Sequence, residues 1–314
     1  MTNKTLKVIC PVYNEEAVIP LFYESLKKVL VKIDDDYDWK ILFVIDPSTD
    51  NTEEVLGSIA GQDKRVQLII LSRRFGHQMS LVAGIDNSTE DVVIMMDSDL
   101  QHPPDLILKM LEAYDQGYEV VYTVRNYPKD SNIIKRFGSK IFYRLMSAIS
   151  EIQLASGEAD YRLVSKRIVD IFKTSIRERN QFLRGLFWWI GYKRIGISYE
   201  PNERISGTSK YTFSTMLQFA THGIISFSKK PLQFAIALGI FFAFLGLIFS
   251  IYIFLEYFVN DQIPTGWTTL GILVSFFSGI QLLFLGILGL YLGAIHDEVK
   301  GRPLYLIDEK INLD

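Results

Sequence analysis

The chain has 314 residues, of which 48% are hydrophobic and 22% are charged, and its formal net charge is −3. This length allows about two domains, and this much apolar material excludes a disordered chain, a collagen-like repeat and a disulfide-stapled mini-protein. The single cysteine, Cys10, cannot form an internal disulfide, and the slightly acidic balance does not indicate a nucleic-acid partner.

Short β-rich runs alternate with helical patterns through residues 1–125. Strands are predicted at residues 6–12, 41–45, 66–71, 92–96 and 119–123. Helices are predicted at residues 17–32, 52–60 and 78–85, and from Pro103 or Pro104 onward, because proline suits the first turn of a helix. This alternation predicts an α/β fold with a mainly parallel sheet and helices on both of its faces.

Acidic residues follow three of the predicted strands, in the segments 11–16 (PVYNEE), 46–50 (DPSTD) and 97–101 (DSDLQ). Ligands of parallel α/β sheets bind beyond the carboxyl ends of the strands, so these segments are expected to converge at one edge. Asp97 and Asp99 repel each other unless a cation lies between them, and their oxygens suit Mg²⁺ or Mn²⁺ shared with a substrate phosphate. The alternative is a purely structural pair of carboxylates.

Other ligand-binding patterns do not occur in the sequence. No Gly-x-Gly-x-x-Gly follows a strand and no Gly-x-x-x-x-Gly-Lys-Ser/Thr is found, which argues against a dinucleotide oxidoreductase and a P-loop NTPase. The four histidines are scattered and no cysteine cluster accompanies them, so a zinc site is not expected. His77 and His102 are interpreted as loop residues or residues at the rim of a site.

The charge changes sign after residue 124. Residues 162–210 contain eleven basic and four acidic side chains, a local balance of +7. Such a surface is either merely solvated or faces anionic lipid headgroups. Apolar stripes at helical spacing in residues 137–149 and 213–227 favour the second interpretation and predict amphipathic helices in the membrane interface. A soluble core helix would show the same stripe.

Two long apolar runs lie in the last third of the chain. Residues 232–255 and 267–295 contain no charged side chain, and each run, as a helix, exceeds the hydrocarbon core of a bilayer, which is about 30 Å thick. They predict two transmembrane helices, with a pair of buried globular helices as the alternative.

Flanking charges predict the orientation of these spans. The connecting residues 256–266 contain no Lys or Arg, whereas the outer ends carry Lys229, Lys230, Lys300 and Arg302. The positive-inside rule therefore places both termini in the cytoplasm. No signal peptide is visible at the N-terminus, so the spans themselves are expected to direct the chain to the membrane.

Seven segments jointly resemble one known family. They are PVYNEE (11–16), DPSTD (46–50), SRRFGHQ (72–78), MDSDLQHPP (96–104), GEADYRL (157–163), FLRGLFWWIG (182–191) and ERISGTSKY (203–211). Over residues 6 to about 308, the chain resembles the polyprenyl-phosphate hexosyltransferases. These are family 2 glycosyltransferases of GT-A (Rossmann-like) fold, and they include dolichol-phosphate mannosyltransferase and bactoprenol glucosyltransferases. The resemblance implies metal-dependent transfer of a hexose from a nucleotide-sugar to the phosphate of a long polyisoprenoid.

The resemblance also implies roles for individual residues. The nucleotide would be held by Pro11, Tyr13, Glu15, Asp46 and Asp97, and the Mg²⁺ or Mn²⁺ ion by Asp97, Asp99 and Gln101. Asp160 matches the acidic residue that the family places near the acceptor, so Asp160 and Asp99 are the expected catalytic residues. Pro47 is a departure from the family pattern.

The acceptor phosphate is itself an anion with a second pKa of about 6, so it needs little help from a general base. We therefore expect Asp160 to orient the acceptor or the sugar hydroxyls. Bringing this anion to a diphosphate requires compensating groups, for which the candidates are Arg125, Lys135, Arg136, Ser139, Arg204 and Lys210. The last two match a basic loop of the family. A single displacement predicts inversion at the anomeric carbon.

The overall pattern is nearer the bacterial glucosyl enzymes, which favours UDP-glucose as the donor, with GDP-mannose, UDP-galactose and UDP-GlcNAc as alternatives. The Q-x-x-R-W signature of processive synthases appears only as QFLRG at residues 181–185. With two spans and no tryptophan there, a processive polysaccharide synthase is not expected. A nucleotide-sugar-binding scaffold without turnover and a transporter component are the competing classes.

The predicted organisation has four parts. They are a cytoplasmic catalytic domain (1–210), an interfacial amphipathic helix (211–230), a transmembrane hairpin (231–296) and a cytoplasmic tail (297–314). The expected partners are a nucleotide-sugar, a polyprenyl phosphate and membrane lipids. The small-xxx-small segment at residues 289–293 indicates either homo-oligomers through the membrane helices or packing between the two spans.

Overall fold

The computed structural model describes residues 3–126, 157–201, 228–259 and 266–313. The strands in these ranges are β1 (Lys4–Val12), β2 (Tyr37–Ile45), β3 (Val66–Leu71), β4 (Val92–Met95), β5 (Val120–Arg125), β6 (Glu158–Ser165), β7 (Arg194–Tyr199) and β8 (Ile307–Ile311). The helices are α1 (Ile19–Leu30), α2 (Thr52–Gln62), α3 (His77–Asp86), α4 (Leu106–Asp115), α5 (Lys166–Thr174), α6 (Leu183–Trp189), α7 (Lys230–Val259) and α8 (Trp267–Lys300). The predicted interfacial stripes at residues 137–149 and 213–227 lie outside the described residues.

The strands form one sheet in the order β7-β5-β6-β4-β1-β2-β3-β8. β1 pairs in parallel with β2 and β4, and β2 pairs in parallel with β3. β6 lies antiparallel between β4 and β5, and β8 lies antiparallel to β3 at the edge. Six of the eight described strands share one direction. This confirms the predicted α/β fold with a mainly parallel sheet.

Alternate residues of β1 pack on opposite faces of the sheet. Val8 and Cys10 belong to the core beneath α1, α2 and α4, whereas Ile9 belongs to the core beneath α3, α5 and α6. The side-chain period of two along a strand produces this division. Because helices cover both faces, the central strands are continuous apolar runs, and this is why the sequence located them.

Gly84 lies where α3 crosses β1 closely. A Cβ atom on Gly84 would collide with Cγ2 of Ile9 and lie 3.0 Å from its Cδ1. We expect Gly84→Ala to lower the free energy of unfolding by about 1–3 kcal/mol, because a buried strand has to shift. Gly57→Ala in α2 is the matched control, since no described atom lies within 4 Å of its added Cβ. Thermal unfolding measures both, and a stability of Gly84→Ala at or above that of the parent would contradict the close contact.

The described side chains of α7 and α8 lie outside both cores. The segments Lys230–Phe249 and Phe276–Lys300 are long and apolar enough to cross a membrane. Their large apolar side chains face outward, as Phe234 and Leu292 do with 65% and 67% of their surfaces exposed. This exposure argues against the alternative of two buried globular helices and is consistent with association with a membrane.

The segment after α8 returns to the sheet as β8. The Gln67 side chain donates to the Asn312 carbonyl at 2.9 Å, and the Asn312 amide donates to the carbonyls of Ala60 and Val66, each at 2.8 Å. Residues 307–311, which the sequence places in a separate tail, are therefore part of the α/β domain. The three central residues of β8 are exposed, so its hydrophobic pattern was too weak to predict a strand.

Candidate active site

The loops that follow β1, β2 and β4 lie side by side at the carboxyl edge of the sheet, because β1 pairs with both other strands. Asn14 joins the first two loops. Its Oδ1 accepts a hydrogen bond from the Thr49 backbone N–H at 2.8 Å, and its Nδ2 donates to Thr49 Oγ1 at 3.0 Å. Asn14 has a φ of 54°, a conformation that asparagine tolerates better than most residues. The three acidic segments thus converge as the sequence predicts.

Asp97 follows β4 and contacts two histidines. Its Oδ1 lies 2.7 Å from His77 Nε2, and its backbone N–H donates to His102 Nδ1 at 3.0 Å. Burial alone would raise the pKa of Asp97, but the adjacent imidazoles of His102 and His77 hold that pKa well below its usual range. Burial opposes protonation of His77, yet the Asp97 carboxylate raises the pKa of His77 to about 9. Asp97 is therefore an ionised carboxylate paired with a protonated imidazole.

The turn after Asp97 is shaped by Leu100, which has a φ of 63°. Placing a leucine in this left-handed region costs about 1 kcal/mol, so the surrounding structure must hold it there. Across this turn, Asp99 Oδ1 accepts a hydrogen bond from the Gln101 backbone N–H at 3.1 Å. The residues Asp97, Asp99 and Gln101 are all partly exposed, so a ligand at the sheet edge has access to them.

These three residues fit a divalent metal ion. Two carboxylates and an amide supply the oxygen ligands that Mg²⁺ and Mn²⁺ prefer, and the low pKa of Asp97 keeps one of them deprotonated as ligation requires. Within the described ranges, no group of three or more His, Cys, Asp or Glu side chains is arranged to hold a metal ion. A bound ion would need further oxygen ligands, such as water or a substrate phosphate.

Asp160 on β6 forms a bidentate ion pair with Arg184 of α6. Arg184 Nε lies 2.8 Å from Oδ1 and Nη2 lies 2.7 Å from Oδ2. Burial alone would raise the pKa of Asp160, but the Arg184 guanidinium holds that pKa well below its usual range. The Asp160 carboxylate adds to the effect of Asp97 in raising the pKa of His77, which indicates that the two carboxylates lie near each other. The arrangement suits a fixed negative charge better than a proton acceptor.

A second arginine supports this pair from within the domain. Arg162 is 1% exposed, and its Nη2 lies 3.4 Å from both Asp160 Oδ1 and Glu158 Oε1. Glu158 also accepts a hydrogen bond from Trp188 Nε1 at 2.6 Å. Because Arg184 and Trp188 both lie on α6, these contacts fix the side chains of β6 against that helix.

Asp46 is buried at the end of β2 and holds the loop that follows β3. Its Oδ1 accepts the backbone N–H of Phe75 at 3.0 Å, and its Oδ2 accepts that of Gly76 at 2.8 Å. Gly76 has a φ of 90°, which few other residues adopt. Asp46 therefore fixes the entry into α3, which begins with His77. Its predicted contact with a nucleotide stays a prediction.

The other predicted nucleotide ligands also lie at this edge. Pro11 is in β1, and its carbonyl accepts a hydrogen bond from the Ser98 hydroxyl at 3.2 Å. Tyr13 is partly exposed beneath Arg74, whose guanidinium carbon lies 3.9 Å from the ring centroid. The Glu15 carbonyl accepts two backbone N–H groups at the start of α1. The structure brings these residues together, and their contact with a nucleotide stays a prediction.

Arg125 at the end of β5 reaches the site through His102. Its Nη2 lies 3.0 Å from His102 Nε2, and its Nε donates to the Tyr199 hydroxyl at 2.9 Å. His102 is fully buried, and burial lowers its pKa. His102 lies in the loop between β4 and α4, which is one of the two predicted positions, but it is not a rim residue, because it is buried behind Asp97 and connects it to Arg125. His77 is partly exposed at the start of α3, as a rim residue would be.

Comparison with known proteins decides the family. A family model described as glycosyl transferase family 2 matches residues 7–172, which include both Asp97 and Asp160. The chain belongs to glycosyl transferase family 2. The glycosyltransferase YkcC of Bacillus subtilis (strain 168) is 39% identical over 308 residues, which cover 98% of this chain and 94% of that protein. This family 2 member is thus an enzyme that transfers a glycosyl group.

Two further likenesses have been found for this glycosyltransferase. A protein of Shigella phage SfX, named bactoprenol glucosyl transferase, is 32% identical over 305 residues, which cover 97% of this chain and 99% of that protein. The solved structure of mannosyl-3-phosphoglycerate synthase from Rubrobacter xylanophilus superposes with a TM-score of 0.45 at 13% identity, covering 70% of this chain and 71% of that chain.

The contacts of several site residues of this glycosyltransferase were not predicted from the sequence. Asn14 and both histidines lie in segments that carried the family resemblance, and this was the available signal. Arg184 lies in the segment FLRGLFWWIG and in the incomplete signature QFLRG, but its pairing was not predicted, because its partner Asp160 lies on another element. The predicted phosphate partners that lie outside the described residues are Lys135, Arg136, Ser139, Arg204 and Lys210.

Proposed function

We propose that this glycosyltransferase transfers glucose from UDP-glucose to undecaprenyl phosphate at the cytoplasmic face of a membrane, giving a polyprenyl-phosphate-hexose. The observation that carries the proposal is a pair of ionised carboxylates, Asp97 and Asp160, in a domain that continues into two exposed apolar helices. The name of the Shigella phage SfX protein, bactoprenol glucosyl transferase, supports both the sugar and the lipid carrier.

The donor would bind at the Asp97–Gln101 turn. Asp97, Asp99 and Gln101 would hold Mg²⁺ or Mn²⁺, which when bound neutralises the charge that develops on the departing nucleoside diphosphate. Pairing with His77 fixes the orientation of Asp97 before the donor arrives. Tyr13 and Asp46, with Pro11 and Glu15, would hold the nucleoside in the neighbouring loops.

The acceptor phosphate would act as its own nucleophile. Its second pKa is about 6, so it is ionised at neutral pH without a general base. Asp160 accepts hydrogen bonds from Arg184 through both oxygens and stays ionised, so it would orient the acceptor or the sugar hydroxyls. Attack of a phosphate oxygen on the anomeric carbon breaks the bond to the diphosphate in one displacement, and the configuration inverts.

Positive charge is needed where two phosphates approach each other. Arg125 contacts His102, which lies behind the Asp97 turn. The guanidinium group of Arg125 matches the geometry of a phosphate. The other proposed groups are Lys135, Arg136, Ser139, Arg204 and Lys210. They would screen the repulsion between the acceptor dianion and the diphosphate.

Two membrane spans would keep the site at the level of a lipid-linked phosphate. Lys229 and Lys230 at the start of α7, with Lys300 and Arg302 at the end of α8, are exposed. They would face the anionic headgroups of the inner leaflet and place the domain in the cytoplasm. Association between copies through residues 289–293 would be compatible with this arrangement.

A transfer assay tests the proposal. Purified full-length protein is incubated with radiolabelled nucleotide-sugars and undecaprenyl phosphate, with and without EDTA, and label is counted in the organic phase. We expect transfer from UDP-glucose that EDTA abolishes and Mg²⁺ or Mn²⁺ restores. Anomeric proton coupling should show a β-linked product from the α-linked donor.

The outcomes of this assay separate the alternatives. Transfer from GDP-mannose, UDP-galactose or UDP-GlcNAc in place of UDP-glucose would change the sugar and keep the reaction. Binding of a nucleotide-sugar without transfer to any lipid phosphate would contradict the proposal and favour a non-catalytic scaffold.

A further inference from the structure

Away from the active site, side chains from three separate parts of the chain meet at Asp86. Arg177 Nη1 lies 2.7 Å from Oδ1 and 2.9 Å from Oδ2 of Asp86, and the Tyr305 hydroxyl donates to Oδ2 at 2.9 Å. Asp86 ends α3, Arg177 follows α5, and Tyr305 lies between α8 and β8. We term these three residues the Asp86 clasp. The Asp86 carboxylate is 14% exposed and the Arg177 side chain 38% exposed, so the pair is partly shielded from water.

The clasp lies where the apolar helices join the α/β domain. α8 ends at Lys300, and Leu304 is already buried in the core beneath α3, α5 and α6. In the last turn of α8, Glu298 Oε2 accepts the backbone N–H of Arg179 at 2.8 Å, two residues beyond Arg177. The end of α8 is therefore held on the domain on both sides of residues 301–303. A linker of three residues spans only about 10 Å when fully extended.

The second apolar helix shares this attachment. The Tyr291 hydroxyl of α8 donates to the carbonyl of Ser228 at 2.7 Å, and Ser228 lies two residues before the start of α7 at Lys230. Ser228 itself is buried. The start of α7 is thus joined to α8 at Tyr291, which lies nine residues before the last residue of α8, Lys300. The position of α8 on the domain therefore also positions α7.

One helix connects the clasp to the active site. Asp86 is the last residue of α3, and His77, which contacts Asp97, is the first. At 1.5 Å per residue these ends lie about 14 Å apart along the helix axis. α3 packs tightly on β1 at Gly84, where even a methyl group collides with Ile9. The distance from the helix pair to the Asp97 turn is therefore set by rigid elements.

We propose that Asp86, Arg177 and Tyr305 are positioning residues that set where the donor site stands relative to the bilayer, and so govern its access to a phosphate anchored in lipid. This inference rests on the proposed function. A lipid-anchored phosphate reaches only a fixed level above the hydrocarbon, whereas a soluble phosphate diffuses to the site at any level. Loss of the clasp therefore affects the anchored acceptor selectively.

The test compares two acceptors with full-length protein in phospholipid vesicles. One is undecaprenyl phosphate in the bilayer, and the other is a short-chain, water-soluble prenyl phosphate. For Asp86→Asn and Tyr305→Phe we expect a roughly ten-fold loss with the bilayer acceptor and less than about two-fold with the soluble one, since a misplacement near 1 Å can cost ~10²-fold. The KM for the nucleotide-sugar should stay unchanged while the KM for the lipid acceptor rises.

Asp34→Asn is the matched control. Asp34 also pairs with an arginine and an aromatic side chain, since Arg65 Nη1 lies 2.8 Å and Trp39 Nε1 2.5 Å from its Oδ1. Trp39 belongs to the core on the opposite face of the sheet, so this substitution leaves the attachment of α8 intact. Both rates are expected to match those of the unaltered protein.

Each outcome of this test supports or overturns the positioning role of the Asp86 clasp. Equal losses with both acceptors, or no loss with either, overturn the positioning role. If Asp86→Asn does not fold, Tyr305→Phe decides, because it removes a single hydroxyl. If the unaltered protein uses only the bilayer acceptor, an unchanged KM for that acceptor in Tyr305→Phe overturns the inference. Failure of the unaltered protein with both acceptors would instead overturn the proposed function.

Discussion

Replacing Asp99 with asparagine is expected to lower the rate of hexose transfer by about 10³-fold, which corresponds to ~4 kcal/mol of lost transition-state stabilisation. The amide has the size of the carboxylate but no charge, so under the proposed function the divalent ion would be held less tightly and the departing diphosphate would be less well neutralised. Asparagine Oδ1 can still accept the hydrogen bond from Gln101, so the turn should persist. Steady-state kinetics at saturating Mg²⁺ measures the loss, and thermal unfolding checks that the fold is retained.

Asp105→Asn provides the control for this change. Asp105 lies on the same connection between β4 and α4, is 74% exposed, and pairs with Lys32 at 3.3 Å on the surface. A surface pair of this kind contributes about 0–1 kcal/mol to stability, and we expect transfer to be unaffected. Undiminished transfer by Asp99→Asn, or by the parent enzyme in EDTA, would contradict the assignment of Asp99 as a metal ligand.

Arg184→Met is expected to lower the free energy of unfolding by about 3 kcal/mol and to reduce transfer as well. Methionine keeps much of the side-chain volume but removes both hydrogen bonds to Asp160, whose side chain is 12% exposed. Leaving one partner of a buried pair unmatched costs ~3–5 kcal/mol, and Arg162 at 3.4 Å offsets part of that cost. Arg184→Lys restores the charge without the planar fork, so an intermediate result is expected from chemical denaturation.

The loss of unfolding free energy in Arg184→Met should depend on pH. The folded-state pKa of Asp160 lies below its unfolded value of about 3.9, so the stabilisation is present above that pH and is lost as the pH falls through the folded pKa. Without Arg184, the folded-state pKa of Asp160 should move upward, because burial opposes ionisation and only the His77 and Arg162 charges remain to offset it. The variant then lacks part of this stabilisation at neutral pH. The difference between the two proteins should therefore shrink toward about pH 4.

A second substitution separates the charge effect from simple loss of packing. In Arg184→Met, the further change Asp160→Asn removes the unmatched carboxylate and should recover part of the lost stability. If the stability difference is constant between neutral and acidic pH, or if the second substitution adds a further loss, the pairing of Asp160 with Arg184 is not the cause.

The sequence located the interior of the sheet because strands covered on both faces must be continuous apolar runs. β8 has no such run, since the three central residues of Ile307–Ile311 are exposed, and it was assigned to a tail. Its place beside β3 depends on backbone pairing and on the hydrogen bonds of Asn312. An edge strand that is held in this way has almost no hydrophobic pattern in its sequence.

The part of the candidate site that depends on the order of strands and helices could be predicted from the sequence. Acidic segments that end parallel strands must meet at one edge, so the convergence of Asp46, Asp97 and Asp99 followed from the order of the elements. The burial of His102 did not follow, because it depends on how Tyr161 and Tyr199 enclose its ring. The pairing of Asp160 with Arg184 did not follow either, because Arg184 lies 24 residues away on α6.

By itself, the sequence determined the alternation of strands and helices, the two apolar runs and the polar segments at the strand ends, since these follow from local periodicity. Only the tertiary structure decided which charges meet, joining Asp97 to His77, Asp160 to Arg184, and Asp86 to both Arg177 and Tyr305. The free energy of a buried charge depends on partners that distant elements bring within hydrogen-bonding distance. No local pattern encodes that distance.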